Sequence, residues 1–361
     1  MERMQSTWEH VVEYDLSESG VQPLTVEELY ADDPGALRAA LATPLGYAQG
    51  NGDRSLRDRI ASFHSGADPD GVCVTTGTSE ANFLAVLTLV EPGDRVVVVM
   101  PSYMQVHGWA RGLGATLVPL WLEEERGWRF DLDALRRAVR DAKLVYVCDP
   151  NNPTGAVLPD EDRAALRDAV AESGAWLLAD QVYRGAEQSG VLTPSLLGER
   201  VIVTGGLSKV FGLPGLRVGW VVTSPEMATR IWSNHDYSTI APTTLSAVFA
   251  EQALARRERL IERAREIVRA RWPVVERWAR VEGFGCVPPA AGAIAFVRAD
   301  LPLPTSSFVD RLIRERSTMI VPGDHFLLDG YLRIGFGMPG GFLEAGLARV
   351  SDLLAAIRAP A

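Results

Sequence analysis

Lys209 lies in the stretch GGLSKVFGLPGLRVGW, which runs from Gly205 to Trp220. The chain has 36 lysines and arginines, and only Lys143 and Lys209 are lysines. Arginine therefore fills almost every place that needs only a cation. Lysine can do something that arginine cannot. It can lose its proton and attack a carbonyl, whereas a guanidinium stays charged and is a poor nucleophile. Lys143 falls at the polar end of an expected helix and reads as a surface residue. Lys209 follows an expected strand and precedes a turn rich in Gly and Pro, which does not fit a surface lysine.

Four further loops carry residues able to do chemistry. In VTTGTSEANF, Gly77 allows a tight turn, and Thr78 and Ser79 bring hydroxyls and N–H groups to a helix start. That is a phosphate site or, taken alone, a plain N-cap. In MPSYMQ, Tyr103 is placed to stack on a flat ring or to pack in the core. DPNNPTG is a turn that points the Asn152 amide beyond a strand end. In LLADQVYRG, Asp180 closes an apolar strand, where a carboxylate is costly unless paired, and Tyr183 follows three residues on. Arg217 stands eight residues after Lys209.

Together these residues point to pyridoxal 5′-phosphate. Lys209 would hold it as a Schiff base, and Asp180 would keep its ring nitrogen protonated. Asn152 and Tyr183 would bond its ring oxygen. Thr78, Ser79, Ser208 and Arg217 would surround its phosphate, with Tyr103 stacked on the ring.

Elements must bring these loops together. Expected strands are Val72–Thr75, Arg95–Met100, Thr116–Leu120, Leu144–Cys148, Trp176–Ala179, Val201–Thr204 and Val218–Val222. Helical patterns separate them at Ser79–Leu89, Tyr103–Leu113, Asp131–Arg140 and Asp160–Ser173. Such alternation predicts an α/β fold with a mostly parallel sheet between helices. Ligands of such sheets sit at the carboxyl ends of the strands. After Pro242 the pattern changes. One long helical stretch is expected over Leu245–Arg280, bent near Pro273. A strand (Ala293–Ala299), a helix (Ser306–Glu315), two strands (Thr318–Val321 and Tyr331–Phe336) and a last helix (Phe342–Arg358) follow. The expected division is a large cofactor-binding domain over 38–242 and a smaller α/β domain from 1–37 and 243–361. The first forty residues would pack against the smaller domain and supply a lid.

The chain resembles fold-type I pyridoxal-phosphate enzymes of the class I and II aminotransferase family over nearly all of its 361 residues. The resemblance rests on TTGTSEA, PSY, NNPTG, DQVYRG, LSKVFGLPGLRVGW and YLRIGFG, in the family's order. It implies that Arg333, in YLRIGFG, grips the substrate α-carboxylate, a task suited to a bidentate guanidinium. It also implies that Tyr47, in LGYAQGNGDRSLRDRIA, reaches the phosphate site of a neighbouring subunit, and hence a homodimer with shared sites. Two positions depart from the pattern. Gly206 stands where many relatives have a phosphate-binding serine, which puts more weight on Ser208. Gln181 replaces the usual acidic residue after Asp180 and is expected to alter surface charge only.

The segment DLSESGVQPLTVEEL, with GGLSKVFGLPGLRVGW and HDYSTIAP, is similar to capreomycidine synthase-like enzymes. Those enzymes eliminate a β-hydroxyl from an arginine derivative and then cyclise it. The expected function is transfer of the α-amino group of an L-amino acid to a 2-oxo acid. The alternative is elimination or cyclisation in specialised metabolism. Glu18, in the lid segment, is either a reader of a cationic substrate or a solvated glutamate flanking a helix.

Composition excludes other classes. A net charge of −10 argues against nucleic-acid and anionic-membrane surfaces. It also argues against a regulator that keeps this fold as a sensor, which would need a DNA-binding module. No G-x-G-x-x-G or Walker pattern supports a nucleotide site. Three unclustered cysteines and five histidines lack metal-ligand spacing. With no signal peptide and only strand-sized aliphatic runs, a soluble cytoplasmic protein without bound metal is expected.

Overall fold

The run VVVVM at 96–100 has no polar face, so a strand built from it must be covered on both sides. In the computed structural model, which describes residues 1–358, all five of these residues are buried. The expected smaller domain, 243–361, thus ends in three residues that lie outside the described ones. The first strands in chain order are β1 (Tyr14–Asp15), β2 (Val72–Thr75), β3 (Arg95–Met100), β4 (Thr116–Glu123) and β5 (Arg129–Phe130). Next come β6 (Leu144–Cys148), β7 (Trp176–Asp180), β8 (Val201–Gly206) and β9 (Gly219–Val222). The last are β10 (Gly285–Cys286), β11 (Ile294–Arg298), β12 (Thr318–Met319), β13 (Val321–Pro322) and β14 (Tyr331–Gly335).

Eight strands form one sheet in the order β2-β9-β8-β7-β6-β3-β4-β5. The pairs from β8 to β4 are parallel. β9 runs antiparallel to both of its neighbours, and β5 is antiparallel to β4. The reversal of β9 has a functional consequence. Its amino end, preceded by Arg217, lies at the edge where β2, β3, β6, β7 and β8 end. One sheet edge therefore collects the loops after five strands and the loop before a sixth.

A four-stranded antiparallel sheet, β10-β11-β14-β13, carries Arg333 on β14. The expected strand Thr318–Val321 is split, because its two halves face different partners. Thr318 and Met319 pair with β1, whereas Val321 and Pro322 pair with β14. The long helix expected over Leu245–Arg280 is also two helices, Thr244–Ala255 and Arg257–Glu282. They divide at Arg256, whose φ of −114° leaves the helical region. Its guanidinium bonds Asp32 at 2.9 Å and Gln252 at 2.5 Å. No Gly or Pro marks that break in the sequence. Pro273 lies inside the second helix, which continues on both sides of it.

The amino-terminal segment links the two sheets. Leu16 donates to Met319 O at 2.8 Å and accepts from Gly335 N at 2.7 Å. Gln22 donates to Gly337 O, and Leu24 to Gly212 O, both at 2.9 Å. Val21 donates to Lys209 O at 3.4 Å. The glycines of YLRIGFG make room for this strap. A Cβ on Gly335 would come 2.0 Å from Glu18 O, and one on Gly337 would come 2.0 Å from Gly20 O.

Gly335→Ala should therefore lift the strap and lower stability by about 1–3 kcal/mol, the usual cost of overpacking. Urea unfolding should shift to lower denaturant, and amide exchange over residues 16–24 should accelerate. Unchanged exchange there would show that the strap is held by other contacts.

Candidate active site

Lys209, Asp180, Tyr183, Asn152, Arg217, Arg333, Thr78, Ser79, Tyr103, Ser208 and Glu18 all line one cavity of about 330 Å³. Residues as far apart in sequence as Glu18 and Arg333 meet there because the loops at one sheet edge, the strap and β14 converge on it. Tyr47 does not line it. Its side chain is 90% exposed on the outside of the molecule.

At the Asp180 end the cavity floor is apolar strand. Asp180 is 3% exposed at the end of β7. Its Oδ2 accepts from Asn82 Nδ2 at 2.8 Å and from the Tyr146 hydroxyl at 3.5 Å. Its Oδ1 accepts from Val182 N at 3.1 Å. Burial pushes its carboxyl up to about 6, against those hydrogen bonds. A cation placed here would recover the cost of ionising it. Asn82, absent from the sequence expectations, is held in turn by the Thr204 hydroxyl at 2.7 Å. Its one sequence clue is an amide within the apolar run ANFLAVL, one helical turn after Thr78.

At the other end donors converge. The helix Gly77–Leu89 starts here with Thr76 as N-cap, so neither Thr78 nor Ser79 caps it. Arg217 sits at a φ of +51°. Its Nη1 reaches Ser208 Oγ at 3.3 Å, and its Nη2 reaches Ser79 Oγ at 3.4 Å. Thr78 Oγ1 is buried with no partner among the described residues. A Cβ on Gly206 would come 2.5 Å from that oxygen. The absence of a side chain at 206 is thus matched by the Thr78 hydroxyl, which occupies the space. Two serines, an unpartnered threonine hydroxyl, a guanidinium and a helix start form a donor set suited to a phosphate.

Between the two ends, Lys209 Nζ donates to Glu18 Oε1 at 2.8 Å, and Gly20 N donates to the same oxygen at 2.7 Å. Burial alone would raise the Glu18 carboxyl, but the Lys209 ammonium, the Gly20 N–H and the Arg333 guanidinium together outweigh it and hold it at about 2. Glu18 is thus a partner of the lysine, not a solvated flanking residue. Tyr183 donates to Ser19 Oγ at 2.8 Å. Burial raises the Tyr103 and Tyr183 phenols, so both stay protonated at neutral pH.

Arg333 is 1% exposed. It donates through Nη1 to Asn152 Oδ1 at 2.9 Å and through Nη2 to Ser17 O at 2.5 Å, while its Nε has no partner among the described residues. A buried guanidinium that faces a cavity and makes no ion pair among the described residues is suited to an anionic group.

The expectation for Gln181 needs correction. The residue is 3% exposed and has no part in surface charge. Its Oε1 accepts from Ser195 Oγ at 3.1 Å. Ser195 Oγ bonds His64 Nδ1 at 2.8 Å, and Trp220 Nε1 donates to His64 Nε2 at 3.0 Å. Burial pushes His64 down to about 3, so this is a chain of neutral groups. An amide fits it without adding a second buried negative charge beside Asp180.

Residues 26–350 match the family described as aminotransferase class I and II. The chain belongs to that family. Among curated relatives, it is 37% identical over 347 residues to capreomycidine synthase of Streptomyces vinaceus, covering 94% of this chain and 89% of that one. Among solved structures, a PLP-dependent aminotransferase from Streptococcus suis aligns with a TM-score of 0.94 at 30% identity, covering 100% of this chain and 98% of that one. The PLP-dependent cyclase OrfR aligns with a TM-score of 0.90 at 29% identity, covering 98% and 96%. Like its class I and II relatives, this chain is a pyridoxal-phosphate enzyme of fold type I, and the donor set above fits that cofactor.

The cofactor-free protein should show the cost of ionising Asp180. Its folded pKa lies above the ordinary carboxylate value of 3.8, so the native state holds the proton longer than the unfolded chain. Stability should fall as pH rises from about 4 to about 6, by about 3 kcal/mol from this group. Asp180→Asn should remove that part of the pH dependence in urea unfolding. An unchanged slope would mean that the burial cost is met elsewhere.

Proposed function

We propose that this enzyme transfers the α-amino group of an L-amino acid to a 2-oxo acid, with the cofactor oriented by the residues above. The observation that carries this reading is one cavity holding a lysine amine, a buried carboxylate and a buried guanidinium from three separate segments of the chain. The cofactor, when bound, supplies an aldehyde for the amine and a conjugated ring that stores the electron pair left when the α-proton departs.

The protein's own groups do the rest. Lys209 carries the cofactor at rest and then, as a free amine, takes the α-proton and returns it. Asp180 holds a proton on the ring nitrogen, supported by Asn82 and Tyr146. Asn152 spends its carbonyl on Arg333, which leaves its NH₂ group to donate to the ring oxygen. Tyr183 shares that oxygen, and Tyr103 stacks on the ring. Thr78, Ser79, Ser208 and Arg217 hold the phosphate. Arg333 binds the substrate carboxylate.

A homodimer completes the site in this reading, with Tyr47 reaching into the neighbour's phosphate cradle. Tyr47, Leu45, Tyr237 and Ile240 are all exposed. Their segments touch, since Thr244 Oγ1 donates to Gly46 O at 2.5 Å. Such an apolar surface favours self-association. We place the protein in the cytoplasm on its three free cysteines. No helix among the described residues is long and apolar enough to cross a membrane.

A second reading has a specific observation behind it: the likeness to a capreomycidine synthase and to a cyclase. In it, the same machinery removes the α-proton of a hydroxylated arginine or similar amino acid, and a β- or γ-substituent then leaves. The two readings differ in stoichiometry. Holoenzyme given an amino acid and no 2-oxo acid should release one 2-oxo acid per site and stop. Continued turnover of a β-hydroxylated amino acid without added acceptor would establish the second reading instead.

Shared sites can be checked by mixing inactive Lys209→Ala with inactive Tyr47→Ala. Heterodimers should recover activity, because one of the two sites then has both residues. A fully active monomer in sedimentation would rule the dimer out.

A further inference from the structure

The motif HDYSTIAP, residues 235–242, lies outside the cavity. It closes instead on Glu80, the residue after Ser79. Glu80 stands in the first turn of the helix Gly77–Leu89, and 9% of its side chain is exposed. Its Oε2 accepts from Thr76 N at 2.6 Å. Its Oε1 accepts from the Ser238 hydroxyl at 2.6 Å and from the Thr239 hydroxyl at 2.9 Å. The Thr239 hydroxyl is also 3.1 Å from Oε2, and His235 Nε2 stands 3.6 Å from that oxygen. Burial would raise the Glu80 carboxyl, but the bonds from His235, Ser238, Thr76 and Thr239 outweigh it and hold it at about 2. One carboxylate thus ties the backbone of the phosphate turn to three side chains of a distant loop.

A carboxylate at a helix start is drawn to the same N–H groups that a phosphate needs. Here it is held on Thr76, the N-cap, which has no cap bond from its own side chain. Gly77, Thr78 and Ser79 are the first three helical residues, and their N–H groups have no acceptor within the helix. Those groups are left to an incoming anion. The turn also has little slack. A Cβ on Gly219 would come 2.3 Å from Thr78 N, and one on Gly77 would come 2.3 Å from Arg217 Nη2. β9 and Arg217 pack against the turn, and the Glu80 clasp holds its first residue.

We propose that Glu80 is a positioning residue for the cofactor phosphate. Gripped by Ser238, Thr239 and His235, it fixes the Thr76 N–H. That sets the direction of the three N–H groups after it and of the Thr78 and Ser79 hydroxyls. Glu80 itself touches neither cofactor nor substrate. The inference rests on the reading that Thr78, Ser79, Ser208 and Arg217 hold the phosphate.

Two ligands that differ only in the phosphate test this. The full-length chain, freed of cofactor, is titrated with pyridoxal 5′-phosphate and with pyridoxal, and dissociation constants are read from the absorbance of the bound form. Glu80→Ala should weaken pyridoxal 5′-phosphate roughly 10-fold, the order expected for lost bonds to a charged group, and pyridoxal by less than about threefold. An equal loss for both ligands would mark a residue that serves the fold alone and would overturn the proposal. Unchanged affinity for both would overturn it as well. Thr239→Val decides the matter if Glu80→Ala does not fold. Thr239 is exposed, and its hydroxyl serves only the clasp, bonding Glu80, His235 and, at 3.4 Å, Thr76 Oγ1. Its loss should cut the preference for the phosphorylated ligand roughly threefold, the order of one such bond, and an unchanged preference overturns the proposal. Ser79→Ala and Arg217→Ala separate this inference from the reading beneath it. If neither lowers the preference, the cradle is refuted, and the role of Glu80 with it. If both lower it and Glu80→Ala does not, only the role of Glu80 fails.

Discussion

The strap from Leu16 to Leu24 is the constraint on which the site depends. It accepts from Gly335 of β14, donates to Met319 of β12 and to Gly337 just past β14, and donates to the Lys209 loop at Lys209 and Gly212. These bonds are backbone to backbone, so side-chain changes along the strap leave them intact, and a Cβ on either glycine beneath would break them. Arg333 comes from one sheet and Lys209 from the loops of the other. The strap holds the two at a distance that one small molecule can span, and it places Glu18 between them.

Electrostatics then divides the cavity into ends. A buried carboxylate supported by an amide and a phenol lies at one end. Hydroxyls, a guanidinium and a helix start lie at the other. Neither end is satisfied by protein alone: Asp180 stays hard to ionise, and Thr78 Oγ1 has no partner among the described residues. Burial without pairing is tolerated where a ligand completes it, which is why strained groups gather at functional sites. The opposite charges demanded at the two ends match a cationic ring nitrogen and an anionic phosphate.

The two departures from the family pattern have different physical explanations. Gly206 and Thr78 exchange volume: a hydroxyl on the helix stands where a side chain on β8 would otherwise project. Gln181 belongs to a buried chain of neutral hydrogen bonds through Ser195, His64 and Trp220. Sequence proximity to Asp180 hid this, because the three partners come from distant segments. An amide can accept from Ser195 and stay neutral, whereas a carboxylate there would have to be desolvated.

Much of the fold and the chemistry was legible in the sequence. Strands such as Arg95–Met100 and Leu144–Cys148 announce themselves because a run without a polar face has to be buried on both sides. Lys209 stands out because arginine was used nearly everywhere else, and Asp180 because a carboxylate ends an apolar strand. Those are local properties of composition and spacing. Asn82, Tyr146 and Ser19 became visible only in three dimensions. Their roles come from what they touch, and nothing near them in the chain marks it. The break at Arg256 escaped for the same reason, since Asp32 and Gln252 hold it. Tertiary structure alone decided that Glu18 faces Lys209. A glutamate in a polar segment looks alike in sequence whether solvent or an ammonium lies opposite it, and only the path of the strap over Gly335 and Gly337 determines which.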